Sequence, residues 1–235
     1  MCGRYTLTDL QAALTERRLQ AGGLPKTFGP QYNIAPSQHV PVVLNTTPDQ
    51  ATMARWGLIP HWAKDATIGN RMINARAETV AQKPAFRRPF QRQRCLVLAD
   101  GFYEWQQVGK HKVPYRMTLT SGASFAFAGL WDTWNDPSTK TPLTTFTIIT
   151  TTPNPLLKPI HERMPVMLPR SAEGTWLRED LSERQALALL EPYPANQMQA
   201  EEVSPLVNSP RNNTPEVLRP LGRLTLVRRK VTNPD

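Results

Sequence analysis

Cysteine is almost absent from this sequence: 235 residues carry two, Cys2 and Cys95. Two cysteines make no secreted disulfide framework, although spacing alone leaves a single bridge open. The four histidines, His39, His61, His111 and His161, are scattered. No Cys/His cluster has zinc spacing, so no metal is expected. No run of eighteen apolar residues occurs, which argues against a membrane-spanning helix. The N-terminus also lacks the charged region and apolar stretch of a signal peptide, so cytosolic placement is expected. Glycine is sparse, at twelve, against twenty-three prolines. That many prolines exclude a helical bundle and point to short strands with irregular connections. Acidic residues are outnumbered, 19 against 28 Lys and Arg, for a net charge of +9.

That imbalance argues for a polyanionic partner, nucleic acid first and an anionic membrane second. Arginines carry the excess in patches at Arg71–Arg76, Arg87-Arg88, Arg92–Arg94 and Arg223–Lys230, and guanidinium groups suit bidentate phosphate contacts. The plain alternative is a basic solvated surface. The length allows one large domain with a real core. A helix is expected from Thr8 as N-cap through Leu10, Ala13, Leu14 and Leu19, and another over Ala75–Gln82, ended by Pro84. Strands are expected at Val40–Leu44, Thr52–Trp56, Arg94–Ala99, Ser124–Leu130 and Thr144–Thr151. Phe102–Gln107 and Val113–Leu119 read as a hairpin around Gly109-Lys110. Ser171–Glu179 and Ser182–Glu191 have helix starts. The whole reads as one β-rich α+β domain over residues 1–222 with short flanking helices, then a basic tail over 223–235, loose from Arg228 onward.

Four segments place polar groups between apolar neighbours: Met1–Tyr5, Ile73–Glu78, Ala99–Trp105 and Pro159–Pro165. Cys2 stands out, because loss of Met1 would leave an α-amine and a thiol on adjacent carbons. These groups titrate near pH ~8 and ~8.5, so both have a reactive fraction at neutral pH. An aldehyde would form a Schiff base and then a thiazolidine with such a residue; an amide would meet an N-terminal nucleophile. A small buried hydrophobe is the ordinary alternative. Strand alternation sets Phe102 and Glu104 on one face, Tyr103 and Trp105 on the other. Glu104 is then either an acid–base group amid aromatics or an edge residue in water. His161 sits in a proline-bounded loop. Asn74 and Arg76 suit a phosphate or carbonyl, or else a helix cap and a surface cation. Trp62 is a candidate for stacking on a base, whereas Trp56 reads as core.

The order and wording of MCGRY, YNIAPS (Tyr32–Ser37), RWGLIPHW (Arg55–Trp62), INARAET (Ile73–Thr79), LADGFYEW (Leu98–Trp105) and IHERMPV (Ile160–Val166) resemble the SRAP family. Its members are SOS-response-associated peptidases, also described as abasic-site processing proteins. The resemblance runs from residue 2 to about Leu221, with Val207-Asn208 matching a late motif. It implies a β-rich α+β domain with a positively charged groove, and covalent capture of abasic sites in single-stranded DNA. No cofactor is implied. Carried over, Cys2 resembles the cross-linking residue and Asn74, Glu104 and His161 the rest of the site. Arg4 and Arg76 resemble phosphate ligands, with Trp62 and Arg87 beside the DNA. Where the family has a Trp-Trp pair, this chain has Trp62-Ala63. A monomer acting on nucleoid DNA is expected. The alternatives are a cysteine peptidase or amidohydrolase using Cys2 as N-terminal nucleophile, and a non-catalytic single-strand binder.

Overall fold

Tyr5, Trp56, Phe102, Phe125 and Phe127 meet edge to face or tilted at the centre of the protein, with centroids 5.3 to 6.5 Å apart. Strands are expected from the sequence over Trp56, Phe102, Phe125 and Phe127, whereas the strand of Tyr5 is not among them. The computed structural model describes residues 2–225. In chain order its elements begin with β1 (Tyr5–Leu7), α1 (Leu10–Arg17), β2 (Gln31–Ile34), β3 (His39–Leu44), β4 (Ala51–Trp56) and β5 (Asn74–Arg76). Then follow α2 (Pro84–Arg92), β6 (Arg94–Ala99), β7 (Gly101–Val108), β8 (His111–Leu119), β9 (Phe125–Asn135) and β10 (Pro142–Thr151). The last third holds β11 (Met164–Pro165), β12 (Met167–Leu168), α3 (Arg170–Trp176), α4 (Glu183–Ala188), β13 (Met198–Val203) and β14 (Pro220–Thr225).

Five strands close on themselves. β10 pairs in parallel with β4 and antiparallel with β9, while β4, β3, β6 and β9 complete the ring through antiparallel pairs. Closure removes the open edges that an isolated sheet would present. β5 runs parallel to the end of β10, and β11 pairs with its last residues. A second sheet has the order β14-β13-β8-β7-β1-β2. Its inner face, with Tyr5, Phe102 and Met117, joins the main core, and its other face buries Tyr103 with Val203, Val207 and Val217. The result is the single β-rich α+β domain that the sequence suggested. No described helix is long and apolar enough to cross a membrane.

Two helix expectations are corrected. Asp9, not Thr8, caps α1, its carboxylate accepting from the Ala12 N–H at 2.8 Å. Thr8 is committed elsewhere: its N–H and hydroxyl both donate to Asp100. The helix placed over Ala75–Gln82 is absent. Its first residues are strand β5, because Ile148, Ile149 and Thr150 offer ladder partners to Asn74, Ala75 and Arg76. Pro84 starts a helix instead of ending one, standing at the first position where no N–H is required. The segment Arg228–Asp235, expected as a loose tail, lies outside the described residues.

Arg94 departs from the surface role suggested by its basic neighbours: it is fully buried. Its Nη1 donates to the carbonyls of Phe90 and Gln91 at 2.8 Å, its Nε to that of Trp176 at 2.9 Å, and its Nη2 to that of Arg178. One guanidinium thus fills the orphan carbonyls at the C-terminal ends of α2 and α3, where a cation also suits the helix dipoles.

Gly57, after β4, adopts φ +120°, and a Cβ there would meet the Gly69 carbonyl oxygen at 2.6 Å. Its N–H is already fixed on the Phe146 carbonyl at 2.8 Å. Gly57→Ala is expected to cost roughly 1–3 kcal/mol, read as a lower urea midpoint at unchanged m-value. A neutral result would show that the Gly57–Gly69 approach relaxes freely.

Candidate active site

The antiparallel register of β1 on β7 decides what the N-terminus meets. Tyr5 lies opposite Phe102 and Thr6 opposite Gly101, and the Tyr103 N–H donates to the Arg4 carbonyl at 3.0 Å. Continuing that register sets Gly3 opposite Glu104. Cys2 is wholly buried, with its Sγ 4.0 Å from the Arg4 carbonyl. Burial pushes its thiol well above the usual range, and the nearby Glu104 carboxylate adds to this. Glu104 itself is 2% exposed. Its carboxyl is pushed up to about 7 by burial, against the pull of the positive amino terminus. A group poised there both accepts and returns a proton at neutral pH.

His161 faces the same carboxyl, its Nε2 3.8 Å from Glu104 Oε2. Its Nδ1 lies 3.0 Å from the Arg163 backbone nitrogen and 3.2 Å from the Arg163 carbonyl oxygen, so its own loop fixes the ring orientation and Nε2 faces Glu104. Burial, then the charge of the amino terminus, holds this imidazole below its usual range. The loop that bears it is pinned. Asn154 Oδ1 accepts from the Leu156 and Leu157 N–H groups, and Gln106 of β7 donates to the Pro159 carbonyl at 3.0 Å.

The separate motifs are joined to one another. Arg163 grips Glu78 through Nη1 at 2.5 Å and Nη2 at 2.9 Å, tying IHERMPV to INARAET. The Trp56 indole donates to the Ile73 carbonyl at 2.9 Å, tying in RWGLIPHW. Arg4 Nη1 donates to Asn33 Oδ1 at 2.9 Å and to the Val207 carbonyl at 2.8 Å, and Nη2 donates to the Asn208 carbonyl at 3.3 Å. Those bonds bring in YNIAPS and the late motif. Above Glu104 opens a depression of about 410 Å³, lined by Gly3, Arg4, Glu104, Trp105, Lys112, His161 and Asn208.

Cys2, Glu104 and His161 therefore come together, with Arg4 on the rim. Asn74 is half-buried on β5 and donates weakly to the Ile148 carbonyl at 3.5 Å, while its buried Oδ1 has no partner among the described residues. Arg76 and Arg87 are exposed and, like Trp62, do not line the depression. Trp62 is 53% exposed beside a second hollow of about 480 Å³. Ala63, in place of a second tryptophan, is buried with Ile59 and Trp134. Trp105, Lys112 and Asn208 were not identified as site residues from sequence. The Trp105 indole donates to Asn208 Oδ1 at 2.7 Å. Lys112 reaches the rim only through the β7–β8 pairing, opposite Gln107.

A family model described as SOS response associated peptidase (SRAP) matches residues 1–210. The abasic site processing protein YoqW of Bacillus subtilis is 47% identical over 222 residues, which cover 93% of this chain and 99% of that one. The abasic site processing protein HMCES of Xenopus tropicalis is 31% identical, over 93% of this chain and 78% of its own. The crystal structure of a protein from Bacteroides thetaiotaomicron superposes with a TM-score of 0.86 at 31% identity, covering 94% of this chain and 100% of that one. The chain belongs to the SOS response associated peptidase (SRAP) family.

Proposed function

We propose that this protein captures abasic sites in single-stranded DNA as a covalent adduct on Cys2. The observation that carries the reading is a buried thiol near the chain start, beside a buried carboxyl poised at about 7 and a histidine 3.8 Å away. The names of the relatives YoqW and HMCES support the same substrate. An abasic deoxyribose opens to a C1′ aldehyde, with His161 as general acid. Once Met1 is removed, Glu104 takes a proton from the Cys2 ammonium and the amine adds to C1′. Glu104 then returns that proton to the departing hydroxyl; one water leaves and an iminium ion remains. Glu104, a carboxylate again, takes the thiol proton as the Sγ–C1′ bond forms, closing a neutral thiazolidine. One water is lost overall, and no oxidant or reductant is consumed. Because burial keeps the thiol protonated, Glu104 is also the base for Sγ. Asn74, with its unpartnered Oδ1, would hold the amine or sugar in attack geometry.

Arg4 keeps its Nε–H and one Nη2 hydrogen without an acceptor among the described residues. These, with Arg76 and Arg87, would meet phosphates along a positively charged groove that Trp62 borders, so binding should weaken as salt rises. A stacked duplex hides C1′ from a residue fixed near the chain start, hence the preference for single strands. The protein would act as a monomer on nucleoid-associated DNA. The family description supports a second activity, autoproteolytic removal of Met1 with Cys2 as nucleophile. Intact-mass spectrometry after mixing with a single-stranded oligonucleotide bearing one abasic site tests both. The expected product is protein minus Met1 plus DNA minus one water, absent with Cys2→Ala. Loss of Met1 without any adduct would overturn the capture reading.

A further inference from the structure

The loop after β4 carries a second cluster that the capture chemistry does not use. Asp132 of β9 has a side chain 3% exposed and accepts the His61 and Thr133 N–H groups, each at 2.9 Å. Its Oδ2 lies 3.0 Å from His61 Nδ1, which in turn lies 3.0 Å from Arg88 Nη1. Arg88 Nη1 is also 3.6 Å from Asp132 Oδ1. These contacts are not mutually compatible. With its proton, Nδ1 donates to Asp132 and confronts an Arg88 donor; without it, Nδ1 accepts from Arg88 and turns a lone pair on the carboxylate. Asp132 is fixed by two backbone N–H groups and keeps His61. Arg88, exposed on α2, is the member able to turn outward.

An anion with several oxygens would relieve the conflict by taking the Arg88 fork. What stands beside it narrows the anion. Trp62 directly follows His61, and its loop is held by the Ile59 N–H on Thr145 Oγ1 at 2.8 Å and by the Trp134 indole on the Ala63 carbonyl at 2.7 Å. An exposed indole and a planar cation, presented on a rigid loop and a neighbouring helix, match a base and its adjoining phosphate. We propose that Arg88, turned out from the Asp132–His61 pair, binds a backbone phosphodiester of the DNA strand that passes Trp62; this rests on the reading of the protein as one that handles single-stranded DNA.

The test is fluorescence anisotropy with a labelled single-stranded oligonucleotide that has no abasic site, across a salt series. Arg88→Gln should weaken binding about three- to tenfold and reduce the slope of log K against log salt by about 0.7, the share of one phosphate on a single strand. Arg88→Lys should keep the slope but recover only part of the affinity, since the fork is lost. Arg178→Gln removes an equally exposed cation paired with Asp180 and should change affinity less than about twofold. Equal losses for Arg88→Gln and Arg178→Gln, or none for either, would overturn the proposal. Because intact DNA needs no Cys2 chemistry, such a failure leaves covalent capture standing.

Discussion

Glu104→Gln should slow adduct formation with an abasic oligonucleotide by about 10²–10⁴ at neutral pH, the usual contribution of one positioned acid–base group. The isosteric amide keeps the fit opposite Gly3 but can neither take the ammonium proton nor return it. In the wild type the rate should climb as pH rises through about 7, where the carboxylate forms; the variant should lose that limb. Stability should move the other way. The folded value of about 7 lies above the ordinary 4.5, and burial is the main cause. A carboxyl raised in the folded state supports folding fully below its unfolded pKa, and that support fades as pH climbs through the folded one. Between pH 4.5 and 7 the wild type should therefore lose on the order of 3 kcal/mol relative to the variant. Urea denaturation at several pH values reads this directly. A variant both slower and relatively more stable at alkaline pH is the signature of a carboxyl kept for chemistry. Cross-linking at the wild-type rate would remove Glu104 from the mechanism, and parallel stability profiles would mean its charge is compensated.

Arg94→Met should be the most destabilising single substitution, by about 3–5 kcal/mol, because it strands four carbonyls at two helix ends. For a chain of this size that is a drop in melting temperature of roughly 10 °C. Arg94→Lys should restore only part of the loss: a single ammonium has three donors and cannot span both helices. Folded Arg94→Met should bind DNA as the wild type does, since the side chain reaches no surface. A stability loss below about 1 kcal/mol would mean that water enters and replaces the guanidinium.

Arg94 also shows where reading the sequence stops. By composition it belongs to a basic run, and although the strand expected over Arg94–Ala99 begins with it, only the arrival of Trp176 and Arg178 from far along the chain gives its guanidinium partners inside. The longer central strands were legible, and local alternation placed Glu104 on its correct face, whereas β1, β2, β13 and β14 went unread. So did β5, because the Asn74–Arg76 ladder depends on β10, more than seventy residues later. Lys112 was missed for a more local reason: the expected second hairpin strand began at Val113, whereas β8 begins at His111 and sets Lys112 opposite Gln107. Motif wording brought Cys2, Glu104 and His161 onto one page, but the bonds that join the motifs, such as Arg163 to Glu78, are tertiary. Arg4 shares its donors with Asn33, Val207 and Asn208, which no reading of MCGRY anticipates.

The position of β1 has a mechanical consequence. It lies between β2 and β7, and Asp100 accepts from Thr6 and Thr8 at its far end. A strand of DNA joined to Cys2 would be connected through two residues to an interior strand rather than to a free arm. Tension along such DNA would load β1 against neighbours on both sides, and hydrogen bonds that share a load in shear yield together instead of unzipping one by one. The linkage would then hold the folded domain at the lesion as a firm obstacle, and its removal would call for unfolding from elsewhere in the chain or for chemical reversal at Cys2.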